Sequence, residues 1–301
     1  MFDISQSDKS TLDSSLTIIT QLTDILTKLM CPRSAIEIVR LKQDLQKGVA
    51  NSETVQRTSN AFGLILEELF ARKPTGVYGA KCFMEFMEII VTCKESADKE
   101  ESDSILAMIL PIHEKAISVL RNIESQLMKQ KKILEKKYDL KDILVRGSKE
   151  ERMELYHLLR DIYLQVYEGV FYETARVYYL LYSYSKGMKI TPDGLPIWFI
   201  RDTLRDRFNH EPLFLSNLKD KETTRNAIAH ASHSYDAAQD IAQFIDEIGN
   251  RKKTYSLYEF FMASQELLDT TYAFIFSLTL YIILITITFV QSLAKGKNDS
   301  N

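Results

Sequence analysis

Glycine and proline are scarce: the chain spends ten glycines and six prolines over 301 residues, against the roughly 12 % an average chain devotes to the two. Tight hairpins and repeated β-turns consume these residues, so turn-rich sandwiches and propellers are excluded and long helices are favoured. Cysteine is scarcer still. Cys31, Cys82 and Cys93 are odd in number and far apart. They offer neither a disulfide framework nor a zinc cage, and read as small core fillers in a reduced, cytoplasmic interior. Neither sign of charge dominates, with 38 basic and 41 acidic residues. No global field draws the chain onto nucleic acid, and any such site has to be local. The opening Met1-Phe2-Asp3-Ile4-Ser5 has no basic and apolar character of the secretory kind, so no signal segment is expected.

Several catalytic signatures are missing too. There is no Walker loop, no Gly-x-Gly-x-x-Gly, no Gly-x-Ser-x-Gly and no His-Glu-x-x-His. The five histidines, His113, His157, His210, His230 and His233, have no ligand-type partners at zinc spacing. The expectation is a site with no metal and no cofactor.

What is present is helical periodicity. With 45 % hydrophobic and 26 % charged residues the chain can bury a core. Apolar residues recur at helical spacing through Leu16–Leu29, Ile36–Leu45 and Phe62–Leu69, with Pro32, Gly48 and the Lys73-Pro74-Thr75-Gly76 run as breaks. Cys82 to Cys93 reads as a buried helix, and Pro111 kinks or divides the stretch from Ser102 to Lys137. That stretch ends in a basic run, Lys129, Lys131, Lys132, Lys136 and Lys137, which reads as a solvated face or a phosphate-contacting strip. The acidic pair Glu67-Glu68 reads as solvated helix face. The best boundary is Gly147-Ser148 ahead of a charged helix start, giving a helical region over 1–146 and a second helical domain over 147–301. Tyr178, Tyr179, Tyr182 and Tyr184 form a stripe suited to a core or a dimer face. Gly249-Asn250 either turns a small β-hairpin near 241–256 or separates two helices. The fold class is therefore all-α, with that hairpin as the one open exception.

From Thr270 to Ala294 no residue carries a formal charge. The length suits a transmembrane span, while Thr271, Ser277, Thr279, Thr286, Thr288 and Gln291 are polar for a lipid-facing helix. Both a buried core helix and a membrane anchor fit.

The stretch with chemistry is Thr223-Thr224-Arg225-Asn226-Ala227-Ile228-Ala229-His230-Ala231. With Thr223 or Thr224 as cap, Arg225 falls in the first turn of a helix. Asn226 and His230, four apart, share a face. Arg225 lies about 140° round from His230, and its length lets it reach the same cleft. Imidazole moves a proton near neutral pH and guanidinium grips a phosphate as charge builds, a pairing that suits phosphoryl chemistry. Arg152 with His157 and Arg205 with His210 share the spacing. The first sits among Glu150, Glu151 and Glu154, and the second ends at Glu211-Pro212, so neither has the polar neighbour and small spacers of Arg225. His233 is a possible second proton carrier or an ordinary surface histidine.

The Arg225-Asn226 and His230 pattern, followed by Tyr255-Ser256-Leu257-Tyr258-Glu259-Phe260 and a long apolar last helix, resembles the HEPN family (higher eukaryotes and prokaryotes nucleotide-binding) over about residues 151–294. The resemblance implies a compact HEPN-like helical bundle that homodimerises so that two motifs face one composite site. It implies metal-independent endoribonuclease activity, with the ribose 2′-hydroxyl attacking the adjacent phosphate. In that mechanism His230 is general acid or base, Arg225 stabilises the transition state and Asn226 orients the phosphate. It further implies RNA as substrate, and a toxin or antiviral defence role held in check by residues 1–146 or by an antitoxin-like partner. The alternative is a non-catalytic helical module binding nucleotide, RNA or protein, with the C-terminal helix as a membrane anchor if it is not buried.

Overall fold

A computed structural model describes residues 6–28, 31–71, 73–96, 99–136, 143, 147–188, 190 and 194–298. The chain is mostly helical, as its composition requires, with one small antiparallel sheet. The helices are α1 (Gln6–Lys28), α2 (Pro32–Gln46), α3 (Ser52–Ile65), α4 (Gly76–Ser96), α5 (Lys99–Lys136), α6 (Lys149–Val166), α7 (Tyr172–Ser185), α8 (Ile197–Phe208), α9 (Leu218–Ala229) and α10 (Leu257–Asn298). Wide π-type turns, Leu66–Phe70 and Tyr167–Phe171, extend α3 and join α6 to α7. The strands are β1 (His233–Asp236), β2 (Ile241–Asp246) and β3 (Arg251–Tyr255). Two compact units result, Met1–Leu110 with Ala273–Asn301, and Pro111–Tyr272. Pro111 lies inside α5 without dividing it, and the Gly147-Ser148 break falls within the second unit.

In the first unit Pro32 opens α2, where its missing N–H is no loss. Glu68 completes that end from a distance. Its carboxylate accepts from the Ser34 backbone N–H (3.0 Å), the Ser34 hydroxyl (2.7 Å) and Arg33 Nε (3.1 Å). Burial opposes its ionisation, but the Ser34 and Arg33 donors outweigh that and hold its pKa below the usual range. The solvated-face expectation for Glu68 is therefore corrected: the side chain is a remote helix cap. Cys31, Cys82 and Cys93 are all buried. Phe86 of α4 packs on Phe274 of α10 at 5.7 Å, and Ile282 sits against Ile18 with Leu110 and Ile285 around it.

In the second unit Ser148 caps α6 through a reciprocal pair with Glu151. Lys129, Lys131 and Lys132 are exposed; the side chains of Lys136 and Lys137 lie outside the described residues. Tyr178 and Tyr182 of the tyrosine stripe are core residues, stacked on His210 at 5.9 and 4.7 Å. The 241–256 ambiguity resolves as a sheet of order β1-β2-β3, one strand more than a hairpin. Ala242, Phe244 and Asp246 alternate inward. Phe244 meets Phe260 at 4.9 Å, and Tyr156 stacks on Tyr235 at 4.9 Å.

Two glycines in helical segments should respond oppositely to alanine. A methyl at Gly169 would lie 2.6 Å from Val119 Cγ2, whereas at Gly63 it meets nothing within 4 Å. Gly169→Ala is expected to cost about 1–3 kcal/mol through overpacking. Gly63→Ala is expected to stabilise by about 0.5–1 kcal/mol through helix propensity. Denaturant titration of both variants reads the two signs.

Candidate functional site

Helix α9 carries the motif, but not as the capping expectation had it. The helix begins at Leu218, behind Asn217 in a left-handed conformation, and no side chain caps it. Thr223 and Thr224 lie inside it and bond back to the carbonyls of Lys219 and Asp220. That i−4 bonding removes them as caps, so Arg225 and Asn226 fall in the second half of the helix. His230 is its C-terminal cap residue. The chain then turns through Ala231 at φ 56°. Ser232 N–H reaches Ala227 O at 2.8 Å and Ala231 N–H reaches Ile228 O at 3.2 Å, a Schellman closure with alanine where glycine is favoured.

Arg225 and Asn226 line a cleft of about 600 Å³ with Tyr167, Glu168, Tyr172, Ile197, Trp198, Glu222 and Arg251. Arg225 Nη1 donates to Asn226 Oδ1 at 2.8 Å, and its Nη2 pairs with Glu168 at 2.7 Å. Asn226 Nδ2 donates to Asp246 Oδ2 at 3.1 Å. The same oxygen takes Arg251 Nη2 at 2.9 Å, while Asp246 Oδ1 accepts the Gly249 N–H at 3.0 Å. Arg251 also reaches Glu222 at 3.5 Å. Gly249 permits this fold-back, since a side chain there would stand 2.6 Å from Arg251 Nε.

The electrostatics follow from burial and these bonds. Burial opposes the charge on Asp246, yet donors from Gly249, Asn226 and Arg251 hold its carboxyl below the ordinary range. Burial raises Glu222 above it despite Arg251. Burial, then Glu222, pushes the Tyr167 phenol far above its ordinary value, so it stays a hydrogen-bond donor at any physiological pH. Among the described residues no group of three or more His, Cys, Asp or Glu is placed to hold a metal ion.

No family model, curated protein or solved structure matches this chain. The assignment of a role therefore stands on the residues.

The structure brings Arg225 and Asn226 together in the cleft and leaves His230 exposed beyond the helix end, outside the cleft lining. His233 is on β1, with Nδ1 2.9 Å from the Tyr156 hydroxyl, and burial lowers its pKa. Tyr167, Trp198, Asp246 and Arg251 escaped sequence reasoning. Asp246 alone had a legible signal: a carboxylate at an inward position of the Ala242-Phe244-Asp246 alternation has to be paired.

Proposed function

We propose that the chain is a metal-independent endoribonuclease of the HEPN type, acting as a homodimer on RNA. The observation that supports it is the placement of α9. Its neighbouring Arg225 and Asn226 line a polar cleft, and His230 stands exposed at the end of the same helix, free to complete a site across a two-fold axis. The ribose 2′-hydroxyl attacks the adjacent phosphorus and the bond to the 5′-oxygen breaks, leaving a 2′,3′-cyclic phosphate and a 5′-hydroxyl. His230 carries a proton in one of these steps, Arg225 takes the charge that builds on the phosphate oxygens, and Asn226, held by Asp246, orients them. A toxin or defence role, restrained by the N-terminal region or an antitoxin-like partner in the cytoplasm, extends the same resemblance. A second reading is favoured by one fact, that His230 does not line the cleft of its own protomer. On it, the fold binds nucleotide or RNA without cutting.

The test is cleavage of mixed tRNA and single-stranded RNA with EDTA present. His230→Ala is expected to lower the rate at least about a hundredfold with an unchanged melting temperature, because the side chain is exposed. Wild-type cleavage leaving cyclic-phosphate ends supports the enzyme. Binding without cleavage, by full-length chain and His230→Ala alike, supports the second reading.

A further inference from the structure

We infer that the cleft is a nucleotide subsite, in which Tyr167 and Arg251 join Arg225 in holding a phosphate while Trp198 stacks the base. The inference rests on the proposed reading of the cleft as an RNA site, and adds three residues to it. Three polar atoms of the lining residues are shut away from solvent without a hydrogen-bond partner among the described residues: Tyr167 Oη, Arg225 Nε and Arg251 Nε. All three are donors, two of them on cations, and Tyr167 is only 3 % exposed. Buried donors left unpaired are a cost that an acceptor-only ligand removes. A phosphate, with several acceptor oxygens and negative charge, is the ligand class that suits two guanidinium groups and a phenol.

Helix α8 adds to the same polarity. Its first two residues, Ile197 and Trp198, line the cleft, and behind Pro196 its first turn has no side-chain cap. The positive end of the helix dipole there favours an anion. Three carboxylates face the arginines: Asp246, buried, holds Arg251 Nη2 at 2.9 Å, Glu222 meets the same guanidinium and Glu168 meets Arg225. Glu168 is half-exposed, so a phosphate displaces it from Arg225 at small cost, and the Glu222 contact is long at 3.5 Å. With that competition, phosphate alone is held weakly and the base has to contribute. Trp198, the only tryptophan of the chain, is 52 % exposed at the rim, a face on which any base stacks.

The same residue supplies the assay, because all indole fluorescence of the full-length chain comes from Trp198. Adenosine 5′-monophosphate is expected to quench it saturably, and adenosine to do so at least roughly tenfold more weakly, as loss of a charge-assisted contact requires. Tyr167→Phe removes a hydroxyl that has no hydrogen-bond partner among the described residues, so its melting temperature should match or exceed wild type. Its affinity for the monophosphate should fall by a similar factor, with adenosine binding unchanged. A purely structural Tyr167 would not give that split. Absence of saturable quenching, or a Tyr167→Phe variant that binds the monophosphate as wild type does, overturns the subsite. A short oligoadenylate that competes at lower concentration than the mononucleotide assigns the subsite to an RNA strand; the reverse order assigns it to free nucleotide. Failure here is separable from failure of the nuclease reading. His230-dependent cleavage without monophosphate binding removes only the subsite, and Tyr167-dependent binding without cleavage removes only the nuclease.

Discussion

Ile282→Asp is expected to unfold the first unit, while Thr288→Asp on the same helix shifts its stability by less than about 0.5 kcal/mol. Ile282 is 1 % exposed and packs against Ile18, with Leu110 and Ile285 around it. Losing the isoleucine removes about 2–5 kcal/mol of burial, and a carboxylate in its place has no partner. The sum reaches the about 5–15 kcal/mol that is a whole domain's stability. Thr288, by contrast, is exposed. The pair decides between a packed helix and a membrane span. In α10, 78 % of the most apolar stretch is buried within the protein. The hydroxyls of Thr271, Ser277, Thr279 and Thr286 are satisfied inward on carbonyls four residues back. A lipid-facing span would put its apolar residues outward and penalise aspartate at position 288 by about 2.5–3.5 kcal/mol. Thermal unfolding of both variants, prepared without detergent, reads the contrast. A tolerated Ile282→Asp beside a damaging Thr288→Asp would place the helix in a bilayer instead.

The helices were legible because their signals are local. Pro32, Gly48 and the 73–76 run sit where periodicity stops, and Ser148 with Glu151 is a reciprocal cap visible in four residues. The threonines of α9 misled for an equally local reason. Thr223 and Thr224 have capping chemistry, but a hydroxyl inside a helix bonds to the carbonyl four back just as well, and Asn217 in a left-handed conformation starts the helix without a side-chain bond. Glu68 and Asp246 were beyond sequence reasoning as partners, since each completes a group 34 or 20 residues away. The strand His233–Asp236 was missed because its four residues hold one buried position, Tyr235, too few for a period. Arg225, Asn226 and His230 stood out by their neighbours, the adjacent asparagine and the small spacers, because Arg152 with His157 and Arg205 with His210 share the spacing. That a wall of Tyr167, Trp198 and Arg251 lines one cleft with Arg225 and Asn226, and not with His230, is a product of three other elements meeting α9.

Asp246→Ala is expected to cost about 2–4 kcal/mol, the largest loss of any single change in the cleft network. The carboxylate is 2 % exposed and receives three donors, Gly249 N–H, Asn226 Nδ2 and Arg251 Nη2. Removing it strands all three, and breaking one side of a buried pair costs about 3–5 kcal/mol. The lower figure applies because Arg251 is about one-third exposed and rehydrates in part. The pH dependence has a definite sign. Asp246 titrates lower in the folded chain than the about 3.9 of an unfolded aspartate. Its contribution is therefore fully present above pH 4 or so and is lost as pH falls through the folded value. The wild-type minus Asp246→Ala difference should be flat from pH 5 to 8 and shrink below. Glu222 has the opposite sign, raised by burial, but is common to both proteins and largely cancels from the difference. Arg251→Ala in the Asp246→Ala background should cost less than in wild type, since the charge it removes is already unpaired. Full additivity in urea titrations, or a difference that persists undiminished below pH 3, would show that Asp246 contributes shape and not charge. Asn226 would then be oriented by packing alone, and the cleft would have to hold its phosphate without that support.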